Sequence, residues 1–348
     1  MTNKKKMPKY PMVSICTPTY NRRPFYPMII KCFENQKYPK DKLEWIIIDD
    51  GTDKIEDLVA HIPQVKYFKY DEKMYLGKKR NLAHEKSTGD IIIYMDDDDY
   101  YPPERISHAV ETLRQNPKAM CAGSSEMYIY FKHIHKMYQF GPYGPNHATA
   151  ATFAFRKELL LQSKYDDNAA VAEERAFLKN YTIPFVQLNP LKTILVFSHI
   201  QNSFDKKTLL DSPNPMVKMT DKTVDDFVKE SDVKKFFMED IDNILNNYEP
   251  GKVENKQDVI QQISELKEQR AKQAEEDYKK RVEYDNTINK IQSVFGANNN
   301  KINELNIIIQ HLQNENIQLN DKVKYLEDKI KTLINEKIQT LKSSSKMT

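Results

Sequence analysis

Apolar runs that stop at polar turn residues recur through residues 11–205. Val13-Ser14-Ile15-Cys16-Thr17 predicts a first strand ending at Pro18. Residues 24–36 place Met28, Ile29, Cys32 and Phe33 on one helical face. Leu43 to Ile48 predicts a second strand, residues 53–62 a short helix, Val65 to Tyr70 a third strand and Gly77 to Lys86 another helix. Ile91-Ile92-Ile93-Tyr94-Met95 then predicts a fourth strand, and residues 104–115 a helix. Strands with no polar face, alternating with helices, predict a parallel α/β sheet covered on both sides. Further on, Ala119 to Gly123 is apolar, the stretch to Tyr143 is aromatic, and Gly141 to Pro145 is a loop. Ala150 to Phe155 and Ile194 to Phe197 predict strands, and 171–179 a helix. Short helices with Pro-marked breaks are expected over 205–250.

The polar residues of this pattern fall at successive strand ends: Thr17, Asp49-Asp50, and Asp96 to Asp99. In open α/β sheets that edge is where ligands bind. Four adjacent carboxylates repel, each pair at close range costing about 1–4 kcal/mol depending on the dielectric. Alternation along an extended segment points Asp96 and Asp98 the same way. Two hard oxygen ligands on one side suit Mg2+ or Mn2+ completed by diphosphate oxygens. The plainer alternative is a solvated acidic turn, since Tyr100-Tyr101-Pro102-Pro103 is loop chemistry.

With 53 Lys and Arg against 50 Asp and Glu, the net charge of +3 gives no electrostatic case for nucleic acid binding. Three cysteines without metal-ligand spacing point to a reducing compartment rather than a disulfide scaffold. No apolar run reaches the length of a membrane span and no leader-like segment opens the chain, so a cytoplasmic location is expected. The mean hydropathy of −0.72 is low for one globular unit, and the polarity concentrates in 251–348.

The segments from Val13 to Arg22, Ile48 to Asp53, Gly77-Lys78-Lys79-Arg80-Asn81, and Gly89 to Asp99 with Pro103 resemble, in this order, a family 2 glycosyltransferase of GT-A fold. The resemblance covers roughly residues 11–205. It implies a Rossmann-like, mostly parallel sheet, a nucleotide-sugar donor (usually UDP-linked), and Mn2+ or Mg2+. It further implies that Thr17, Tyr20, Asp49 and Asp50 hold the uridine, that Arg80 and Asp97 belong to the donor site, and that Asp96 and Asp98 hold the metal. His199 is the candidate third metal ligand, with a satisfied strand-end histidine as the alternative. The chain departs from the family at the acid/base position: Glu173-Glu174 stands where Glu-Asp is common, so Glu174, or Glu173 if the register shifts by one, is the candidate base. Acidic enrichment of a first helical turn explains the same residues without catalysis. Tyr143 and His147 are candidates for acceptor contact. Inverting transfer from a UDP-sugar to a glycan, protein or small-molecule hydroxyl is the expected activity. The competing readings are a nucleotidyltransferase, disfavoured by the missing Gly-rich loop after the first strand, and a non-catalytic head on a scaffold.

The tail has its own pattern. Ile302, Leu305, Ile309, Leu312, Asn316, Leu319, Val323, Leu326, Ile330 and Leu333 follow a heptad. β-Branched a positions, Leu at d and one Asn at a favour a parallel two-stranded coiled coil. The expected organisation is therefore a flexible 1–10, a catalytic domain over 11–205, a helical extension over 206–250, a charged helical spacer over 251–294, and a coiled coil over 301–342 that makes a homodimer, with pairing to a different zipper left open. A lone amphipathic helix folded onto the domain is the alternative.

Overall fold

The computed structural model describes residues 7–170, 174–202, 204–295 and 299–344. In chain order the elements begin β1 (Val13–Thr19), α1 (Tyr26–Glu34), β2 (Leu43–Asp49), α2 (Glu56–Val59), β3 (Val65–Lys69), α3 (Leu76–Lys86), β4 (Ile91–Tyr94) and α4 (Arg105–Gln115). There follow β5 (Cys121–Gly123), β6 (Met127–Phe131), β7 (Lys136–Phe140), β8 (Ala154–Arg156), α5 (Glu174–Phe177), β9 (Phe185–Gln187), β10 (Val196–Ser198) and β11 (Val217–Met219). Helices α6 (Val224–Phe227), α7 (Ser231–Lys235), α8 (Ile241–Asn246), α9 (Gln257–Phe295) and α10 (Asn299–Ser344) complete the chain.

The main sheet has the order β3-β2-β1-β4-β8-β5-β9. Strands β1 to β4 are parallel, β8 runs antiparallel to both its neighbours, and β9 is parallel to β5. The result is a GT-A-like mixed α/β domain. Strand order reverses at β1, with β2 on one side and β4 on the other, so a crevice opens at the carboxyl ends of β1 and β4. A second sheet, β10-β6-β7-β11, stands beside it.

Two buried clusters sandwich the main sheet, because the β-branched runs of β2 and β4 present apolar residues to both faces. Trp45, Ile47, Ile91 and Ile93 face one cluster; Ile46, Ile48, Ile92 and Tyr94 face the other. The segment expected as a helical extension joins the first: Val224, Phe227, Phe236, Phe237, Ile241 and Leu245 are all buried there.

The chain divides into two compact units, residues 1–266 and 267–348. In the second unit α10 is one uninterrupted helix of 46 residues. Leu312, Leu319, Val323, Leu326, Ile330 and Leu333 on it are exposed by 46–58%. Among the described residues no helix is long and apolar enough to cross a membrane.

Candidate active site

Hydrogen bonds to side chains shape the crevice. Thr17 Oγ1 donates to the Met95 carbonyl (2.6 Å) and accepts from Trp45 Nε1 (2.8 Å), pinning the ends of β1, β2 and β4 together. Asn21 adopts a left-handed φ of 52°, a conformation Asn tolerates better than most residues. Its Oδ1 accepts from the Asp53 amide (2.9 Å). The turn leaves Arg22 buried beneath the acidic motif, with Nη2 3.0 Å from Asp98 Oδ2 and Nε 3.7 Å from Asp97 Oδ1.

A cavity of about 300 Å³ lies at this edge. Tyr20 and Pro18 from the end of β1, Asp96 to Asp99 after β4, and Arg80 and Lys79 from α3 line it. Lys73, Lys206 and Lys256 add three further ammonium groups. Helix α3 approaches closely because Gly77 faces the Asp166 carbonyl, where any Cβ would collide. Far from a solvated face, Arg80 is buried, with its guanidinium 4.7 Å from the Tyr94 ring centre and 5.3 Å from that of Tyr165. Its Nη2 stands 3.9 Å from Asp96 Oδ1.

The carboxylates are unequal. Burial alone would raise Asp98, but Arg22, His199 and Lys206 together hold it well below the usual range. Burial pushes Asp97 up to about 7 against the pull of Arg22, with Asp98 adding to the rise. Burial and the Asp98 charge likewise raise Asp99 well above a normal carboxylate. Burial and mutual repulsion thus push Asp97 and Asp99 up, while the neighbouring cations and His199 favour the charged form of Asp98.

The expected donor residues separate on inspection. Tyr20, Arg80, Asp96, Asp97 and Asp98 stand together on the cavity wall. Thr17 does not: it is fully buried and spends its hydroxyl on Met95 and Trp45. Asp49 accepts from the amides of Gly51 (2.9 Å) and Ile55 (3.2 Å) and from Tyr67 Oη (2.6 Å), so it organises the loop after β2. Asp50 accepts from the Met74 amide (2.6 Å) and pairs with Lys79 (2.8 Å) just behind the wall. Glu174 opens α5, half-buried, and is not among the residues lining the cavity, although Ala170 is. Glu173 lies outside the described residues. Tyr143, His147 and Tyr181 form an aromatic row with ring centres 5.0 and 5.1 Å apart.

His199, the candidate third metal ligand, lies beside Asp98 at the cavity's edge. The Gln201 amide donates to its Nδ1 (3.2 Å), while Nε2 lies 3.3 Å from Asp98 Oδ2 and 2.8 Å from Asn202 Nδ2. Both ring nitrogens have polar neighbours, and burial drives the ring down to about 3. Arg22 already meets Asp98 Oδ2, where a cation would approach. Among the described residues no three His, Cys, Asp or Glu side chains converge as a metal cage. The roles of Arg22, Lys206 and Lys256 are not legible from sequence. Arg22 alone carries a signal, since it sits inside the motif Tyr20-Asn21-Arg22; isolated lysines in polar segments carry none.

Residues 14–168 match the model of Glycosyl transferase family 2. An "Uncharacterized glycosyltransferase" of Haemophilus influenzae is 31% identical over 119 residues, 33% of this chain and 47% of that protein. The poly(ribitol-phosphate) beta-N-acetylglucosaminyltransferase TarS of Staphylococcus aureus is 28% identical over 116 residues, 30% of this chain and 19% of that protein. The crystal structure of S. aureus TarS 1-349 in complex with UDP-GlcNAc aligns at a TM-score of 0.43 and 17% identity, covering 53% of this chain and 58% of that one. The chain thus spans less than half the length of these two curated relatives. Residues 14–168 are thus similar to a family 2 glycosyltransferase domain.

Proposed function

We propose that the head transfers a sugar from a nucleotide-sugar donor, a UDP-sugar in the first instance, to an acceptor hydroxyl. The observation that carries this reading is the cavity at the β1/β4 reversal, inside a family 2 domain, lined by Tyr20, Arg80, Asp96 and Asp98. Tyr20 offers a ring face to a base at the rim, half-buried with Lys73 4.9 Å from its ring centre. Reaction proceeds by single displacement. The acceptor oxygen bonds to the anomeric carbon as the bond to the diphosphate oxygen breaks, and the configuration inverts. Glu174 is the proposed base that takes the acceptor's proton. Charge released onto the diphosphate is met by Arg22, Arg80 and Lys206, all at the cavity.

A divalent cation is expected from the resemblance, with Asp96 and Asp98 as its carboxylates. Because Asp98 is already engaged by Arg22 and His199, no step here is assigned to the metal. Calorimetric titration of UDP into the full chain, with and without Mn2+, tests the donor reading. Saturable binding supports it, and no binding in either condition sinks it.

The tail is proposed to join two copies in a parallel coiled coil through α10. Support comes from the heptad of exposed aliphatic residues on one unbroken helix, which a second copy of the same sequence would cover in register.

A further inference from the structure

The segment after the family 2 match contributes to the cavity wall through Lys256, Asp258 and Val259. Several bonds pin it there. Asn21 Nδ2 donates to the Pro250 carbonyl (2.8 Å), and Tyr20 Oη to that of Asn255 (3.3 Å). Gln201 Nε2 donates to the Tyr248 carbonyl (2.8 Å), and Lys73 pairs with Asp258. Gln262 accepts from the Ala170 amide (2.8 Å). Residues 248–262 are therefore a strap across the cavity, made by chain that composition alone reads as spacer.

Lys256 is the unusual member of this strap. It is 3% exposed, and Nζ donates to the Gln201 carbonyl (2.9 Å). The same carbonyl accepts from Arg22 Nη1 (2.8 Å), so two cations meet at one oxygen. Arg22 has Asp97 and Asp98 to balance it, whereas Lys256 has no carboxylate within ion-pair distance among the described residues. Leaving a buried charge without a counter-ion costs several kcal/mol. Burial, with Arg22 adding to it, outweighs the opposing pull of the more distant Asp98 and Asp97 and lowers this ammonium to about 6. An anion in the cavity would relieve both the burial cost and the repulsion.

We infer that Lys256, side by side with Arg22 on the Gln201 carbonyl, forms the subsite for the diphosphate of the nucleotide donor. The assignment rests on the donor reading above and deepens it. The binding site then extends about ninety residues beyond the family 2 match at 168, since the strap supplies one of its cations.

Calorimetry on the full chain with UDP and with uridine tests it, using wild type, Lys256→Gln and Lys256→Arg. Lys256→Gln replaces a charge-assisted hydrogen bond to the diphosphate by a neutral amide, and should weaken UDP roughly tenfold or more. Uridine affinity should stay unchanged, and Lys256→Arg should restore most of the UDP affinity. Equal UDP affinity in wild type and Lys256→Gln overturns the subsite while leaving the donor reading intact. So does a parallel fall in uridine and UDP affinity, which would mark Lys256 as structural. A wild type that binds no UDP removes the donor reading and the subsite with it. Should Lys256→Gln melt well below wild type, Lys256→Met, which leaves no unmet polar group, carries the same comparison.

Discussion

At the scale of single residues, the acidic motif works as a balanced set. Asp98 is the counter-ion of a buried arginine, so Asp98→Asn removes more than a ligand candidate. Breaking a buried pair by neutralising one partner costs about 3 kcal/mol. The expected result is a lowered urea midpoint together with weakened UDP binding, read by denaturation and calorimetry on the same samples. Glu44 offers a second test at the opposite edge of the sheet. Its carboxylate accepts from Ser14 Oγ (2.5 Å), Lys66 Nζ (2.6 Å) and the Thr88 amide (2.5 Å). Burial would raise it, but Lys66, Ser14 and Thr88 outweigh burial and bring it down to about 2. A depressed carboxylate adds stability above its unfolded value and loses it on acidification. The contribution of Glu44 should therefore be whole at neutral pH and fade between about pH 4.5 and 2. Glu44→Gln should cost about 1–3 kcal/mol at pH 7 and progressively less toward pH 2, followed by urea melts across that range.

At the scale of elements, what could be read was what local pattern dictates. Strands β1, β2 and β4 were legible because each is a run of apolar residues buried on both faces. Pro18 was expected to end β1, yet the strand continues to Thr19. The β4 ladder has already stopped at Cys16–Tyr94, so Pro18 has no further partner on that side and its missing N–H is tolerated. The helix expected over 53–62 shrinks to α2, because Asp49 captures the Gly51 and Ile55 amides and holds the chain in a loop. The hairpin β6–β7 was read only as an aromatic stretch, since Tyr128 to Phe131 is buried throughout and shows no alternation. The strap was illegible for a different reason: Lys256 gains meaning only from Gln201 and Arg22, which are far away in sequence. The first compact unit ends at Leu266, inside the stretch expected as a charged spacer over 251–294. A chain ending at Leu266 should keep the wild-type UDP affinity and melting temperature. One ending at Gly251 lacks Lys256 and the Tyr20–Asn255 hydrogen bond, and its affinity should fall at least tenfold by calorimetry.

At the scale of the whole molecule, the open question is what covers α10. A 46-residue helix extends about 69 Å and carries a row of exposed aliphatic residues along it. Its aliphatic residues recur on a seven-residue repeat, the pattern that suits the proposed supercoiled partner. Asn316 interrupts that repeat at an a position, where a buried amide satisfies its hydrogen bonds only against another amide in register. In the proposed dimer a second copy of this chain, parallel and unstaggered, would supply that amide. The full chain should thus sediment as a dimer and residues 1–266 as a monomer. The double variant Leu319→Lys, Leu326→Lys puts four ammonium groups into the seam of such a dimer, and should sediment as a monomer with unchanged UDP affinity. Asn316→Val should stay associated but lose its single oligomeric state, giving mixed species by sedimentation velocity. A full chain that is monomeric at the concentrations of the calorimetry would sink the dimer outright. A dimeric Leu319→Lys, Leu326→Lys variant would move the interface off α10.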